Sequence, residues 1–241
     1  MTAYITLGSR VLMRGDEGTD VLLLQNLLKV LPEPIGSIIK EKGTFGTETE
    51  AAVKKLQHYF NLSLDGVVGP NTFLFLGVPS GKYIPPGGSL FGERTLSKSD
   101  YGYDVWVLQN RLATTSKSFS KALGQPATKS FGAPTATAVK IFQKDVHLDA
   151  DGIAGPQTFY QLYNYAGMGA RVLQKSRWDR NQGYDVYWLQ KYLQDLNYYS
   201  GKLDARFGPK TEAAVKKLQE DAGIKIDGIV GAKTFSHLAP I

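Results

Sequence analysis

DVLLLQ begins at Asp20, DVWVLQ at Asp104 and DVYWLQ at Asp185, and the reading of these three stretches decides the fold. Each is followed by an F-G pair and a T-x-x-A-V motif: FGTETEAAV from Phe45, FGAPTATAV from Phe131 and FGPKTEAAV from Phe207. Each then closes with D-G and G-x-x-T-F: DGVVGPNTF from Asp65, DGIAGPQTF from Asp151 and DGIVGAKTF from Asp227. Asp20, Asp104 and Asp185 are spaced by 84 and then 81 residues. That period is too long for the common solenoid repeats and long enough for a small domain. The chain of 241 residues is therefore a string of three related modules. A unit of roughly 65–75 residues sits at the lower edge of what buries a self-sufficient core, so packing between units would help.

Within the first stretch, Val21, Leu24 and Leu28 recur as Val105, Leu108, Leu112 and as Val186, Leu189, Leu193. Offsets of 0, 3 and 7 lie on one helix face. The leading Asp suits a first turn, where a carboxylate meets free backbone N–H groups. Gly18, Gly102 and Gly183, two residues earlier, read as the loop leading into that helix. A second helix is expected from Thr49, Ala52, Val53, Leu56 and Phe60, from Thr135, Ala138, Val139 and Phe142, and from Thr211, Ala214, Val215 and Leu218. A D-G turn follows. Gly69-Pro70, Gly155-Pro156 and Gly231-Ala232 then launch a short third helix. The expected fold is all-α: three tandem three-helix bundles joined by Gly/Pro-containing linkers. Residues 77–91, GVPSGKYIPPGGSLF, read as an extended, partly stiff spacer. Residues 164–170, NYAGMGA, are shorter, so modules two and three are expected to sit closer together than one and two.

The pattern G-x-D-V-x-x-L-Q-x-x-L … F-G-x-x-T-x-x-A-V-x-x-x-Q … D-G-x-x-G-x-x-T resembles the bacterial peptidoglycan-binding domain of the three-helix type. The resemblance covers residues 10–78, 92–164 and 170–240. Module three, with NYYSGKLDARFGPKTEAAV, is most similar. In modules one and two, KVLPEPIGSIIKEKGTFG and TSKSFSKALGQPATKSFG replace its short turn before F-G. The resemblance implies the fold and a cell-wall glycan-peptide ligand, but no activity. Such modules usually target an attached catalytic domain, and here they account for the chain.

Composition narrows the classes. With no Cys there are no disulfides and no thiol chemistry. The formal charge of +6 is mild and its Lys and Arg are dispersed, unlike the concentrated basic stripe of a nucleic-acid binder. No apolar run approaches a membrane span, so no membrane insertion is expected. The start, MTAYITLGSRVLMRG, does not read as a signal peptide. The expected location is the cell wall or outside the cell, by a route the start does not show, or the cytoplasm before lysis. His58, His147 and His237 share no metal-like spacing. Asp65, Asp151 and Asp227 sit in D-G turns, where the side chain is expected to accept backbone hydrogen bonds. No catalytic residue, metal or cofactor is assigned.

Two sets of residues point to binding. Gln25, Gln109 and Gln190, with Gln57, Gln143 and Gln219, each follow a core position on a helix. A buried Gln must be hydrogen-bonded. They either bridge helix to loop within the module or line a ligand groove, and Gln109 and Gln190 are carried as ligand candidates. The aromatic candidates are Tyr103 and Tyr184 before the first helices, Trp106 and Tyr187 on them, and Tyr198 and Tyr199 near the third module's glycine turn. Leu23, Val107 and Trp188 share a slot about 200° around from the core stripe. An apolar residue there three times points to packing between modules or to an external partner.

The function expected is non-catalytic, multivalent binding of peptidoglycan, with tandem sites raising avidity where the linkers span adjacent repeats. A single module is then expected to wash off sacculi that retain the full chain. The alternative is a structural or scaffold protein of a spore, phage or secretion assembly that uses the same faces for protein partners.

Overall fold

The computed structural model describes residues 5–31, 33, 36, 39–40, 42–175 and 182–239. Part of the stretch that replaces the short turn in module one, residues 176–181 and 240 of the third module's expected range, and the first four residues of the chain lie outside them. Module one holds α1 (Thr19–Val30), α2 (Thr47–Tyr59) and α3 (Pro70–Phe75). Module two holds α4 (Tyr103–Thr115), α5 (Lys117–Leu123), α6 (Ala133–Asp145) and α7 (Pro156–Tyr165). Module three holds α8 (Tyr184–Asp195), α9 (Pro209–Asp221) and α10 (Ala232–Phe235).

The stripes read from the sequence are the buried faces. Val21, Leu24 and Leu28, and their counterparts in α4 and α8, are all sealed from solvent. Phe45, Phe131 and Phe207 of the F-G pairs and Phe73, Phe159 and Phe235 of the third helices fill each module's centre. Proline opens α3, α7 and α9, where its missing N–H costs no helical bond. Among the described residues there is no strand, only isolated antiparallel bridges. One ties the segment before the first helix to the D-G turn in every module: Leu12 to Val68, Leu96 to Ala154, Leu173 to Val230.

Module two carries one helix more than the three-helix pattern. TSKSFSKALGQPATKS forms α5, whose Ser116 accepts from the Ser118 N–H and whose Gly124 closes it in the left-handed region at φ 68°. Phe119 and Leu123, one turn apart, are buried, and Phe119 meets Phe142 edge-on at 5.8 Å.

The modules are not beads on spacers. Residues 77–80 are buried, the Ser80 hydroxyl donates to the Gly8 carbonyl at 2.6 Å, and Leu90 and Phe91 are buried as well. The segment read as a spacer is thus part of the packed structure. The expectation that modules two and three sit closest is also corrected. Modules one and two share one continuous apolar cluster, to which module three adds only Ala170, Tyr184 and Ala205; the rest of its core forms a second cluster, with Trp106 and Trp188 packed against both. Linker length limits how far modules can separate, but apolar area decides whether they pack.

One pairing recurs at the three seams: the first helix of one module meets the third helix of the next. α1 packs on α7, with the Asn26 amide donating to Asn164 at 2.9 Å. α4 packs on α10. The start of α8 meets the end of α3, where a methyl group on Gly183 would lie 2.8 Å from the Phe75 carbonyl. The third seam is reinforced by the Tyr59 hydroxyl donating to the Asp204 carbonyl and by Arg206 stacked over the Tyr59 ring. This head-to-tail order closes on itself. The molecule exposes 11275 Å². A single compact body of this length should expose about 10,600 Å², and three separate modules about 14,300 Å².

Candidate functional site

Two polar devices hold each module rigid. The first is a buried ion pair. Asp20, Asp104 and Asp185 are almost wholly buried in the first helical turn, and each is gripped by an arginine from the segment before it. Arg10, Arg94 and Arg171 reach them at 2.8, 2.7 and 2.6 Å. The same carboxylates accept the N–H of Val21, Val105 and Val186. The helix N-terminus and the guanidinium together stabilise the charge. The recurring Asp is plain in the sequence, but its arginine partner is not. Their separation, ten residues in two modules and fourteen in the third, is no helical or strand period, so only their joint recurrence signals the contact.

The second device is the pair of glutamines. The Gln109 amide donates to the Ser130 carbonyl and the Thr135 hydroxyl, both at 2.9 Å, and its oxygen accepts from the Thr128 N–H. Gln190 donates to the Arg206 carbonyl, Thr211 and Asp204, and accepts from Ala205. On the second helix, Gln57, Gln143 and Gln219 donate to Asp65, Asp151 and Asp227 at 2.7, 2.8 and 3.0 Å. Each also accepts from the glycine N–H of the D-G turn. The turn carboxylates accept the N–H two residues on, as expected. Those backbone N–H groups, followed by the glutamine amides, hold the three Asp below the usual carboxylate range. Gln109 and Gln190 are buried within their modules and their amides are spent there. Of the two arrangements open to them, the structure shows the helix-to-loop bridge.

The aromatic candidates divide in the same way. Tyr184 is buried, and burial pushes its hydroxyl up to about 12. Tyr199 is buried, donating to the Lys202 carbonyl and accepting from Gln190. Tyr187 is half-buried against Trp188. Leu23 and Val107 of the outer slot are fully buried. Trp188 lies so close to Gly167 that a methyl there would fall 2.0 Å from the indole. Asn26 and Leu27 share the Leu23 face of α1, which is the face that meets α7.

Three candidates line open space. Tyr103 and Trp106, half-buried on α4, stack at 19° with centroids 6.0 Å apart. The Tyr103 hydroxyl donates to the Ala170 carbonyl of module three, and burial pushes its pKa upward. They form one wall of a cleft of about 500 Å³ that Tyr83, Pro85 and Pro86 of the 77–91 segment face. Leu74 of α3 and Val172 of module three complete it, so every module contributes. Lys82 and Lys129 stand at its rim. Tyr198 lies on a separate, wider groove of about 1000 Å³ between α5 and module three, beside Asp221. Among the described residues no group of three or more His, Asp or Glu could hold a metal ion. No helix there is long and apolar enough to cross a membrane. An aromatic cleft with a cationic rim offers stacking and charge, which are means of holding a ligand.

The chain matches the family described as "Putative peptidoglycan binding domain" three times, at residues 17–76, 101–162 and 182–238. It is 37% identical over 113 residues to the N-acetylmuramoyl-L-alanine amidase CwlM of Mycobacterium tuberculosis, covering 46% of this chain and 28% of that protein. It is 38% identical over 82 residues to a spore cortex-lytic enzyme of Bacillus subtilis, covering 34% of this chain and 26% of that enzyme. The chain spans less than half the length of these curated relatives. Among solved structures, a peptidoglycan-binding protein from Clostridioides difficile is 36% identical over 29% of this chain and 40% of its own, with a TM-score of 0.26. Three matches that together take in most of the chain show that it belongs to the peptidoglycan binding domain family, of which it carries three copies in tandem.

Proposed function

We propose that this chain is a non-catalytic binder of bacterial peptidoglycan, working at the cell wall, and that its three modules act as one unit. The observation that carries this reading is the threefold family match. The relatives named as an N-acetylmuramoyl-L-alanine amidase and a spore cortex-lytic enzyme support it, since both names refer to wall material. With the modules packed together, spacing between binding sites is set by the fold rather than by linker reach. Avidity then depends on whether the polymer's repeats match that fixed spacing.

The outer apolar slot that favoured a protein-assembly role is occupied within the chain. Leu23 and Val107 are buried and Trp188 packs on Gly167. Of the ligand candidates, Tyr103, Trp106 and Tyr198 line clefts, Tyr187 lies against Trp188, and Tyr184, Tyr199, Gln109 and Gln190 are buried. The test is co-sedimentation of the purified chain with sacculi stripped of protein and teichoic acid, beside chitin and cellulose. Retention on sacculi alone is the expected result. Recovery of the chain in the supernatant with all three materials would overturn the reading.

A further inference from the structure

The cleft walled by Tyr103 and Trp106 has a property that no single module can have. Its lining comes from α3 of module one, the 77–91 segment, α4 of module two and the opening segment of module three. We propose that this cleft is a composite glycan subsite. Sugar rings of the peptidoglycan strand lie against the faces of Trp106, Tyr103 and Tyr83, and carboxylates of the peptide stem meet Lys82 and Lys129. The inference rests on the peptidoglycan reading and deepens it by assigning the ligand's place.

The aromatic geometry favours a flat, weakly polar ligand face. Trp106 and Tyr103 present adjoining, nearly parallel rings. Tyr83, on the same lining, is held by its hydroxyl, which donates to Asn71 at 2.7 Å. Rings locked by neighbours lose little entropy when a ligand docks. The axial face of a pyranose, with its C–H groups, matches such a surface.

The charge favours an anionic substituent. No Asp or Glu lines the cleft. Arg171 lies on it but is already committed to Asp185. Lys82 and Lys129 are exposed at the rim, and no carboxylate lies within ion-pair distance of either among the described residues. Lys82 sits 5.1 Å from the Tyr83 ring centroid and also borders a second cleft, beside Asp65 and Asn71 of module one. A strand leaving the junction past Lys82 therefore runs directly onto module one. The larger groove at α5 has Lys117, Lys121 and Lys233, but it fits such a ligand less well, because Tyr198 is the one Tyr, Trp or Phe on its lining and Asp221 lies beside it.

The experiment uses the full chain. Wild type, Trp106→Ala, a Lys82→Glu/Lys129→Glu double variant and a Tyr101→Ala control are titrated onto sacculi. They are also titrated with soluble muropeptides released from the same sacculi by a muramidase, read through tryptophan fluorescence. Tyr101 is exposed and lies outside the cleft. Trp106→Ala is expected to weaken retention by roughly tenfold or more. The double charge variant, whose exposed side chains leave the fold intact, is expected to weaken it similarly, and the wild-type interaction should fall with added salt. Tyr101→Ala should bind as wild type. If wild type is retained and both cleft variants are retained equally, the composite subsite is wrong and the peptidoglycan reading stands. If wild type itself is not retained, the peptidoglycan reading fails and the subsite falls with it.

Discussion

At the scale of single residues, the repeated polar positions of this chain are structural joints. Gln143 shows the principle. It is buried, donates to Asp151 at 2.8 Å and to the Ile153 carbonyl at 2.9 Å, and accepts from the Gly152 N–H at 2.9 Å. Gln143→Leu keeps the volume but strands those partners, so a loss of about 3 kcal/mol is expected in urea unfolding. A loss below about 0.5 kcal/mol would mean that the turn does not depend on the node. The turn aspartates set an acid limb. Asp65, Asp151 and Asp227 are held below the usual range in the folded state by their N–H and amide donors. A depressed folded pKa contributes stability that is present above the unfolded value near 3.9 and is lost as pH falls through the lower folded values. The melting temperature is therefore expected to drop as pH falls from about 4, and a triple Asp→Asn variant at these positions should show a shallower drop. Identical acid limbs would contradict the assignment. The glutamine recurrence was visible in the sequence, but its meaning was not, because helix periodicity says which face is buried and not what a buried amide touches.

At the scale of elements, the helices were legible because each apolar stripe buries itself within its own module. α5 was not anticipated. Its seven residues are too few for periodicity to declare, and it persists because Phe119 and Leu123 find a core already built by α4 and α6. The seams between elements are tighter than composition could show. Gly167 has ordinary backbone freedom, yet the Trp188 indole occupies the space where its side chain would go. Gly167→Ala is expected to displace Trp188 and destabilise the chain by roughly 1–3 kcal/mol, with a shift in tryptophan emission. An unchanged emission spectrum and melting temperature would show that the seam between modules two and three is loose.

At the scale of the molecule, three repeats form one body. Modules one and two share an apolar cluster, and the pairing of first helix with the next module's third helix closes on itself. A radius of gyration near 18 Å is expected from small-angle scattering, as for a compact chain of this length. A value well above that, with a scattering curve characteristic of separated modules, would return the 77–91 segment to its reading as a spacer. The sequence by itself determined the repeat, the helices, the membership suggested by the recurring motifs and the burial of each module's stripe. Those features depend on contacts within some eighty residues, where periodicity and turn chemistry are local. Only the tertiary structure decided that the outer slot is covered by the chain itself, that the proline-rich segment packs, and that Tyr103, Trp106 and Tyr83 meet around one cleft. Those contacts join residues far apart in the chain, and their free energy comes from apolar surface that becomes buried only once three folded modules meet.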